Sequence, residues 1–250
     1  VGIAEQHALT FASGLAKGGK IPVVAIYSAF LQRGYDQLVH DIAVQGLKVV
    51  LCVDRAGIVG EDGEMHHGLF DVSFLYSLPN TVIYSPKNFA ELEDDLERAV
   101  RGQNKLYVIR YPRGGEASAA DGSTVDFDCF EGKDKKTAVV SFGRVGATVL
   151  EAAKELEICG VCFNMIKPVP HEAIERLKKI DKIFLFEEGM RCGGFSEHLA
   201  SVLAESGFKG KISITAVNGF VPHGSTGELL GRLCLDKDGI KKTVMDGING

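Results

Sequence analysis

Short apolar runs alternate with amphipathic helical stretches along almost all of this chain, and no other feature restricts its fold as much. Runs of five or six residues at 23–27, 48–53, 81–85 and 106–110 are too short for helices and rich in Val, Ile, Leu and Tyr, so they read as strands. Helical spacing of apolar residues predicts helices over 5–17, 31–45 and 88–101. In the first, Ala8, Phe11, Ala12, Leu15 and Ala16 form the apolar stripe and Gly18-Gly19 is the stop. In the last, Phe89, Leu92, Leu96, Ala99 and Val100 form the apolar face, while Glu91, Glu93, Asp94, Asp95, Glu97 and Arg98 read as a solvated surface. Residues 114–136 lose this periodicity and are rich in Gly, Ser, Asp and Lys. The alternation then resumes, with strands at 137–142, 161–166, 182–187 and 211–217, and helices at 147–156, 171–179, 196–206 and from 226 and 237. Strands alternating with helices signal βαβ units, so the expectation is α/β: two consecutive, mainly parallel-sheet domains. Their boundaries are 1–115 and 136–250, with 116–135 as linker. The first helix starts within a few residues of Val1, ahead of any strand, so the first domain reads as lacking its beginning.

Composition removes several function classes. A net charge of −5 and a pI near 5.8 argue against nucleic acid as a partner, which calls for a basic face. Apolar runs such as 21–26 fall far short of the ~20 residues a membrane-spanning helix needs, so no membrane partner is expected. No charged start with an apolar stretch and cleavage site is present, and a cytoplasmic setting is the expectation. The six cysteines sit mostly in apolar stretches and read as reduced, buried thiols, including the pair in Cys159-Gly-Val-Cys162.

Chemistry-bearing residues cluster where strands end, the edge at which open α/β sheets bind ligands. Glu5 opens the first helix; Tyr27, Phe30 and Arg33 follow the first strand; Arg55, Asp62 and His66 follow the second; Arg113 follows the fourth. The segment 57–70, with four glycines and two histidines, is long for a connection, and loops of that length tend to be functional. Asp62, Glu64, His66 and His67 lie close together there, but their spacing is not that of a closed tetrahedral metal site, and no metal ligand is assigned. His7 and His40 read as packing or surface residues, and His171, His198 and His223 as isolated.

Four segments occur in order: Gly-Ile-Ala-Glu-Gln-His-Ala from Gly2, Tyr-Ser-Ala-Phe-Leu-Gln-Arg from Tyr27, Asp-Arg-Ala-Gly-Ile-Val-Gly-Glu-Asp-Gly from Asp54 with His66, and Arg-Tyr-Pro-Arg-Gly from Arg110. Together they resemble the 1-deoxy-D-xylulose-5-phosphate synthases, thiamine-diphosphate enzymes of the transketolase superfamily. The resemblance implies a thiamine-diphosphate pyrimidine-binding domain followed by a transketolase C-terminal-like domain. It implies that Glu5 hydrogen-bonds the pyrimidine nitrogen N1′ of thiamine diphosphate and that Phe30 stacks on that ring. Burial disfavours an ionised carboxylate and the helix dipole favours it, so the sequence leaves the protonation of Glu5 open.

The same resemblance gives Tyr27, Arg33, Arg55, Asp62, His66 and Arg113 to the substrates pyruvate and D-glyceraldehyde 3-phosphate. His66, whose imidazole can exchange a proton near neutral pH, becomes a candidate acid or base. Arg55 and Arg113 bear on the substrate phosphate, for which the planar guanidinium fork is suited; Arg33 lines the same entrance or is a surface ion-pair partner. The implied reaction joins a two-carbon unit from pyruvate, with loss of carbon dioxide, to the aldehyde, yielding 1-deoxy-D-xylulose 5-phosphate for isoprenoid, thiamine and pyridoxal precursors. Magnesium and the cofactor diphosphate are expected on a missing N-terminal half, with the full enzyme a homodimer and the isolated chain inactive. A transketolase or the β subunit of a 2-oxo-acid dehydrogenase is the nearest alternative, and a non-catalytic scaffold fragment a more distant one. The phosphate-directed arginines favour the synthase, because a lipoyl acceptor needs no phosphate clamp.

Overall fold

The computed structural model describes residues 1–103, 106–116 and 124–249. The first half runs α1 (Glu5–Lys17), β1 (Val23–Tyr27), α2 (Ser28–Leu31), α3 (Tyr35–Gln37), β2 (Val49–Asp54), α4 (Asp71–Leu75), β3 (Thr81–Tyr84), α5 (Phe89–Arg101) and β4 (Leu106–Arg110). The second runs β5 (Phe127–Phe130), β6 (Asp134–Phe142), α6 (Gly143–Leu156), β7 (Ile158–Phe163), β8 (Met165–Lys167), α7 (His171–Leu177), β9 (Lys182–Met190), α8 (Phe195–Glu205), β10 (Lys211–Val217), α9 (Thr226–Arg232) and α10 (Lys237–Asn249). Two five-stranded sheets result, ordered β1-β2-β4-β3-β8 and β10-β9-β6-β7-β5. Every pairing is parallel except those of the edge strands β8 and β5. β3 and β4 are buried at every position, as befits parallel strands covered on both faces. The α/β, mainly parallel architecture therefore matches the alternation in the sequence.

Four expectations need correction. The strand predicted at 161–166 is two strands: β7 stays in the second sheet, Asn164 turns the chain, and β8 crosses to pair antiparallel with β3. The two halves thus share a sheet, and one apolar cluster, including Leu51, Val108, Phe163, Ile166 and Leu199, runs through both. Within the span 116–135 read as linker, β5 and the start of β6 are ordered strand because β5 closes the free edge of β7; residues 117–123 of that span lie outside the described residues. The acidic face of α5 is not all solvated: Glu91 is 2% and Asp95 0% exposed, while Phe89 is 56% exposed. Lys87 gives Glu91 both its backbone N–H, at 2.8 Å, and its ammonium, and the side-chain amide of Asn164 donates to Asp95 at 3.0 Å, which makes the burial of carboxylates tolerable. Of the cysteines, Cys52 and Cys162 are buried, but Cys129 and Cys192 are exposed because their side chains fall on the outer side of an edge strand and a turn.

Two smaller differences shape the site. α1 buries Glu5, Leu9, Ala12 and Ser13 and leaves Phe11 and Leu15 on the surface, so the face carrying Glu5 is the inward one. The helix predicted over 31–45 starts at Ser28, directly off β1, and passes through a 3-10 turn at Gln32–Gly34 into a π-helical stretch at Leu38–Ala43. At Gly34 a Cβ would lie 2.5 Å from Leu9 Cδ1, so glycine lets this run press against α1 and brings Arg33 to Glu5.

Candidate active site

Register explains why distant residues meet. Tyr27 pairs with Asp54 across β1 and β2, and Val53 with Arg110 across β2 and β4, so three strands end level at one edge. The chain leaving each end stays there. Ala56 N–H donates to Tyr111 O at 3.0 Å, drawing the segments that hold Arg55 and Arg113 together.

At one end of the edge, Glu5 is 8% exposed and its Oε2 makes no hydrogen bond; Arg33 Nη1 approaches it to 3.5 Å. The Arg33 guanidinium lies 5.7 Å from the centre of the Phe30 ring. Phe30 in turn stacks on Tyr27, with ring centres 5.4 Å apart and planes 11° apart, and meets the edge of His66 at 5.4 Å. Arg55 covers the other part of Tyr27, its guanidinium 4.1 Å from the ring centre, and donates to Asp54 at 2.6 Å. Burial opposes the charge on Arg55, yet Asp54, with Tyr27 and Asp62 nearby, outweighs it and raises its pKa. Arg113 closes the row, donating to Glu61 at 3.2 Å and lying 3.5 Å from Asp62. Next to Arg55 and Arg113 opens a cavity of about 340 Å³, walled also by Lys87, Asn88, Phe89 and Tyr111.

All eight residues singled out in the sequence thus fall along one edge, in an unbroken row from Glu5 to Arg113. Arg33 is the exception in detail: its ion pair is with Glu5, at the end of the row away from Arg55 and Arg113. Asp62 and His66 are carried by a closed loop. Gly57 and Gly68 exchange backbone hydrogen bonds of 2.7 Å at its neck, and two 3-10 turns, Gly60–Asp62 and Glu64–His66, fill it. The neighbouring His67 is buried, accepting at Nδ1 from Val59 N–H at 3.2 Å and facing Pro222 O with Nε2 at 3.3 Å, so both ring nitrogens are engaged by protein. Among the described residues no group of three His, Cys, Asp or Glu side chains is placed to hold a metal ion.

Sequence reasoning missed Arg144 and Glu188, which reach this loop from the second half. The available signal was Glu187-Glu188 closing the apolar run of β9, where a carboxylate must find a partner. It also missed Asp71, fully buried at the loop's exit, which holds Arg110 through bonds of 3.0 and 3.3 Å.

An aminopyrimidine-type ligand fits what the row offers. Glu5 Oε2, Ser28 Oγ, Arg55 Nε and His66 Nδ1 are buried polar atoms without hydrogen-bond partners. Unpaired buried polar groups are costly, and four of them along one rim point to groups that a ligand satisfies. Phe30 supplies a flat apolar surface between them.

Residues 1–115 match the transketolase pyrimidine-binding domain and residues 130–240 the transketolase C-terminal domain; the chain belongs to the transketolase family. Within that family it is similar to proteins named 1-deoxy-D-xylulose-5-phosphate synthase. That of Clostridium perfringens strain 13 is 41% identical over 98% of this chain, and that of Natranaerobius thermophilus 38% identical over all of it. The chain spans 42% of the length of each, so it corresponds to under half of those relatives. A solved split-gene transketolase described as an inactive β4 tetramer superposes with a TM-score of 0.86 at 25% identity, covering 98% of this chain and 82% of its own. The transketolase of Campylobacter jejuni shares the fold with a TM-score of 0.81 at 17% identity, over 98% of this chain and 39% of its own.

Proposed function

We propose that this chain supplies the pyrimidine-binding part of a 1-deoxy-D-xylulose-5-phosphate synthase, which joins the two-carbon remainder of pyruvate to D-glyceraldehyde 3-phosphate with release of carbon dioxide. The observation that carries the reading is Glu5: a buried carboxylate with an unpaired Oε2, at one end of an aromatic and cationic row. About 40% identity to proteins of that name over nearly the whole chain supports the substrate choice.

Thiamine diphosphate, when bound, supplies the electron sink for decarboxylation. Glu5 Oε2, unpaired and with Arg33 Nη1 3.5 Å away, would hydrogen-bond the pyrimidine nitrogen. Phe30 receives the flat ring, a contact worth about 0.5–1.5 kcal/mol beyond area burial. His66 Nδ1, free of protein partners, is placed to take or return a proton at the substrate oxygen, and Tyr27, stacked on Phe30, supplies a further hydroxyl to the substrates. Arg55 and Arg113 bind the acceptor's phosphate. Glu61 preorders Arg113 but is two-thirds exposed, and such rim pairs are worth about 0–1 kcal/mol, so phosphate displaces it readily. Asp62 keeps the guanidinium aimed at the cavity and accepts from acceptor hydroxyls. The diphosphate and magnesium fall to residues outside this chain, in the remaining length that its relatives have. On this reading the complete enzyme is a cytoplasmic homodimer, with the pyrimidine domain at 1–115 and the C-terminal domain at 136–250; no helix of the described residues is long and apolar enough to cross a membrane.

Replacing Glu5 tests the reading. In the complete enzyme Glu5→Ala lowers turnover by roughly 10²–10⁴-fold, the range for loss of a positioned proton-transfer group. Circular dichroism of the variant stays that of the parent. Near-normal cofactor-dependent turnover in the variant would sink the assignment.

A further inference from the structure

Arg144, Glu188 and the turn at Pro222 lie far from Glu5 in sequence and belong to the half that carries no part of the catalytic row. Yet they converge on the loop bearing Asp62 and His66. Glu188, 7% exposed on β9, accepts from Ile58 N–H at 2.7 Å. Arg144, in the first turn of α6, donates to Ile58 O at 3.0 Å and to both oxygens of Glu188, at 3.2 Å for Nε to Oε2. One part-buried ion pair therefore engages both polar groups of a single residue, just inside the loop's neck. Gly57, next to it, has φ +79°, and a Cβ there would stand 2.6 Å from the Glu188 carboxylate. Glycine is needed on both counts.

The grip continues along the loop. His67 joins Val59 N–H to Pro222 O. At Gly60 a Cβ would meet Thr226 Oγ1 at 2.6 Å, so the first 3-10 turn lies flush on the start of α9. Beneath, Ile58 and Leu69 of the loop share an apolar cluster with Val217, Val221 and Leu229 of the second half. By contrast, Met65 at the tip is 84% exposed. The loop is held at its root and released at its tip.

We infer that Arg144 and Glu188 are positioning residues of the reaction: their pair clamps the root of the 57–68 loop, and thereby sets Asp62 and His66 against Phe30 and Arg113 for the phosphorylated acceptor. This rests on the functional reading above. It assigns the second half an indirect part in acceptor binding, transmitted through the backbone N–H and C=O of one residue, Ile58. A misplacement of about 1 Å in such groups is enough to cost roughly hundredfold in rate.

Glu188→Gln and Glu188→Ala, made in the complete enzyme, test the clamp by two readouts. Amide hydrogen exchange reports on the loop without reference to activity. The clamp requires exchange across 57–68 to rise at least about tenfold in Glu188→Ala, and by less in Glu188→Gln, whose amide oxygen still faces Ile58 N–H, while β2 and β4 stay protected. Kinetics with each substrate varied separately should show the KM for glyceraldehyde 3-phosphate rising about tenfold and that for pyruvate changing less than twofold. Unchanged loop exchange in folded Glu188→Ala overturns the clamp, as does a uniform rise across the whole molecule, which marks a merely structural role. Should Glu188→Ala not fold, Arg144→Lys, which keeps the charge and loses the fork, must show the same local exchange increase. Local loosening with equal losses for both substrates overturns the link to the acceptor. A parent enzyme unable to make the product sinks the functional reading instead, and leaves the exchange experiment to decide the clamp.

Discussion

Arg55 illustrates how single residues were placed at this edge. Its φ of 56° is left-handed, which costs a non-glycine residue about 1–2 kcal/mol. The bonds from its own N–H, at 2.8 Å, and its guanidinium to Asp54, together with the Tyr27 ring, offset that cost and fix where the cation points. Arg113 is held more loosely, its side chain 43% exposed and its partners both acidic residues of the 57–68 loop. A charge-assisted hydrogen bond is worth ~1.5–3 kcal/mol, so Arg113→Ala should raise the KM for glyceraldehyde 3-phosphate roughly ten- to a hundredfold, with exposure favouring the lower figure. Pyruvate should be nearly unaffected. Steady-state kinetics in which each substrate is varied separately decides this, and equal losses for both would refute phosphate recognition at Arg113.

Among the elements, the join between α5 and the β7–β8 turn carries a buried carboxyl whose pKa is raised. Asp95 on α5 is fully buried and accepts from Asn164, and its Oδ2 has no partner. Burial raises its pKa to about 8; Asn164 and Arg98 pull the other way, and Glu91 and Asp94 add to the rise. A carboxyl whose folded pKa lies above its unfolded value of 3.8 binds its proton more tightly in the folded state. Its contribution is complete below about pH 4 and is lost as the pH rises through 8. Denaturant unfolding of the parent and of Asp95→Asn at pH 5.5, 7 and 9 should therefore show the parent losing stability relative to the variant as pH rises. Parallel pH profiles would show that Asp95 ionises normally. Helix α5 also shows why its acidic face misled: the hydrophobic pattern records which side chains prefer burial, whereas Glu91 and Asp95 are buried by Lys87 and Asn164, partners that helical periodicity does not register.

For the whole molecule, the two halves share a sheet and one apolar cluster, and the candidate residues lie along one edge. On the proposed function the row from Glu5 to Arg113 takes a pyrimidine ring and an acceptor phosphate, and among the described residues no group of three His, Cys, Asp or Glu side chains is placed to hold the metal of a diphosphate. The 250-residue chain alone should accordingly be folded, cooperative on heating, and catalytically silent. Calorimetry at micromolar concentration should detect no saturable binding of thiamine diphosphate, since on the proposed function Glu5 and Phe30 would hold only the ring. Formation of deoxyxylulose phosphate by the pure chain would overturn this.

Strand and helix alternation, the α/β class and the placing of Glu5, Tyr27, Phe30, Arg55, Asp62, His66 and Arg113 at strand ends were all legible in the order of residues. These are local properties, because periodicity and turn residues act within a few positions, and parallel strands bring their carboxyl ends to one side whatever the details. Tertiary structure alone decided the rest. That β8 leaves its own sheet depends on an open edge at β3, and that Arg33 serves Glu5 depends on the close approach of Gly34 to Leu9. The grip of Glu188 on Ile58 joins residues 130 positions apart. A polar group's burial is set by the partner it meets, and that partner is known only once the chain has closed on itself.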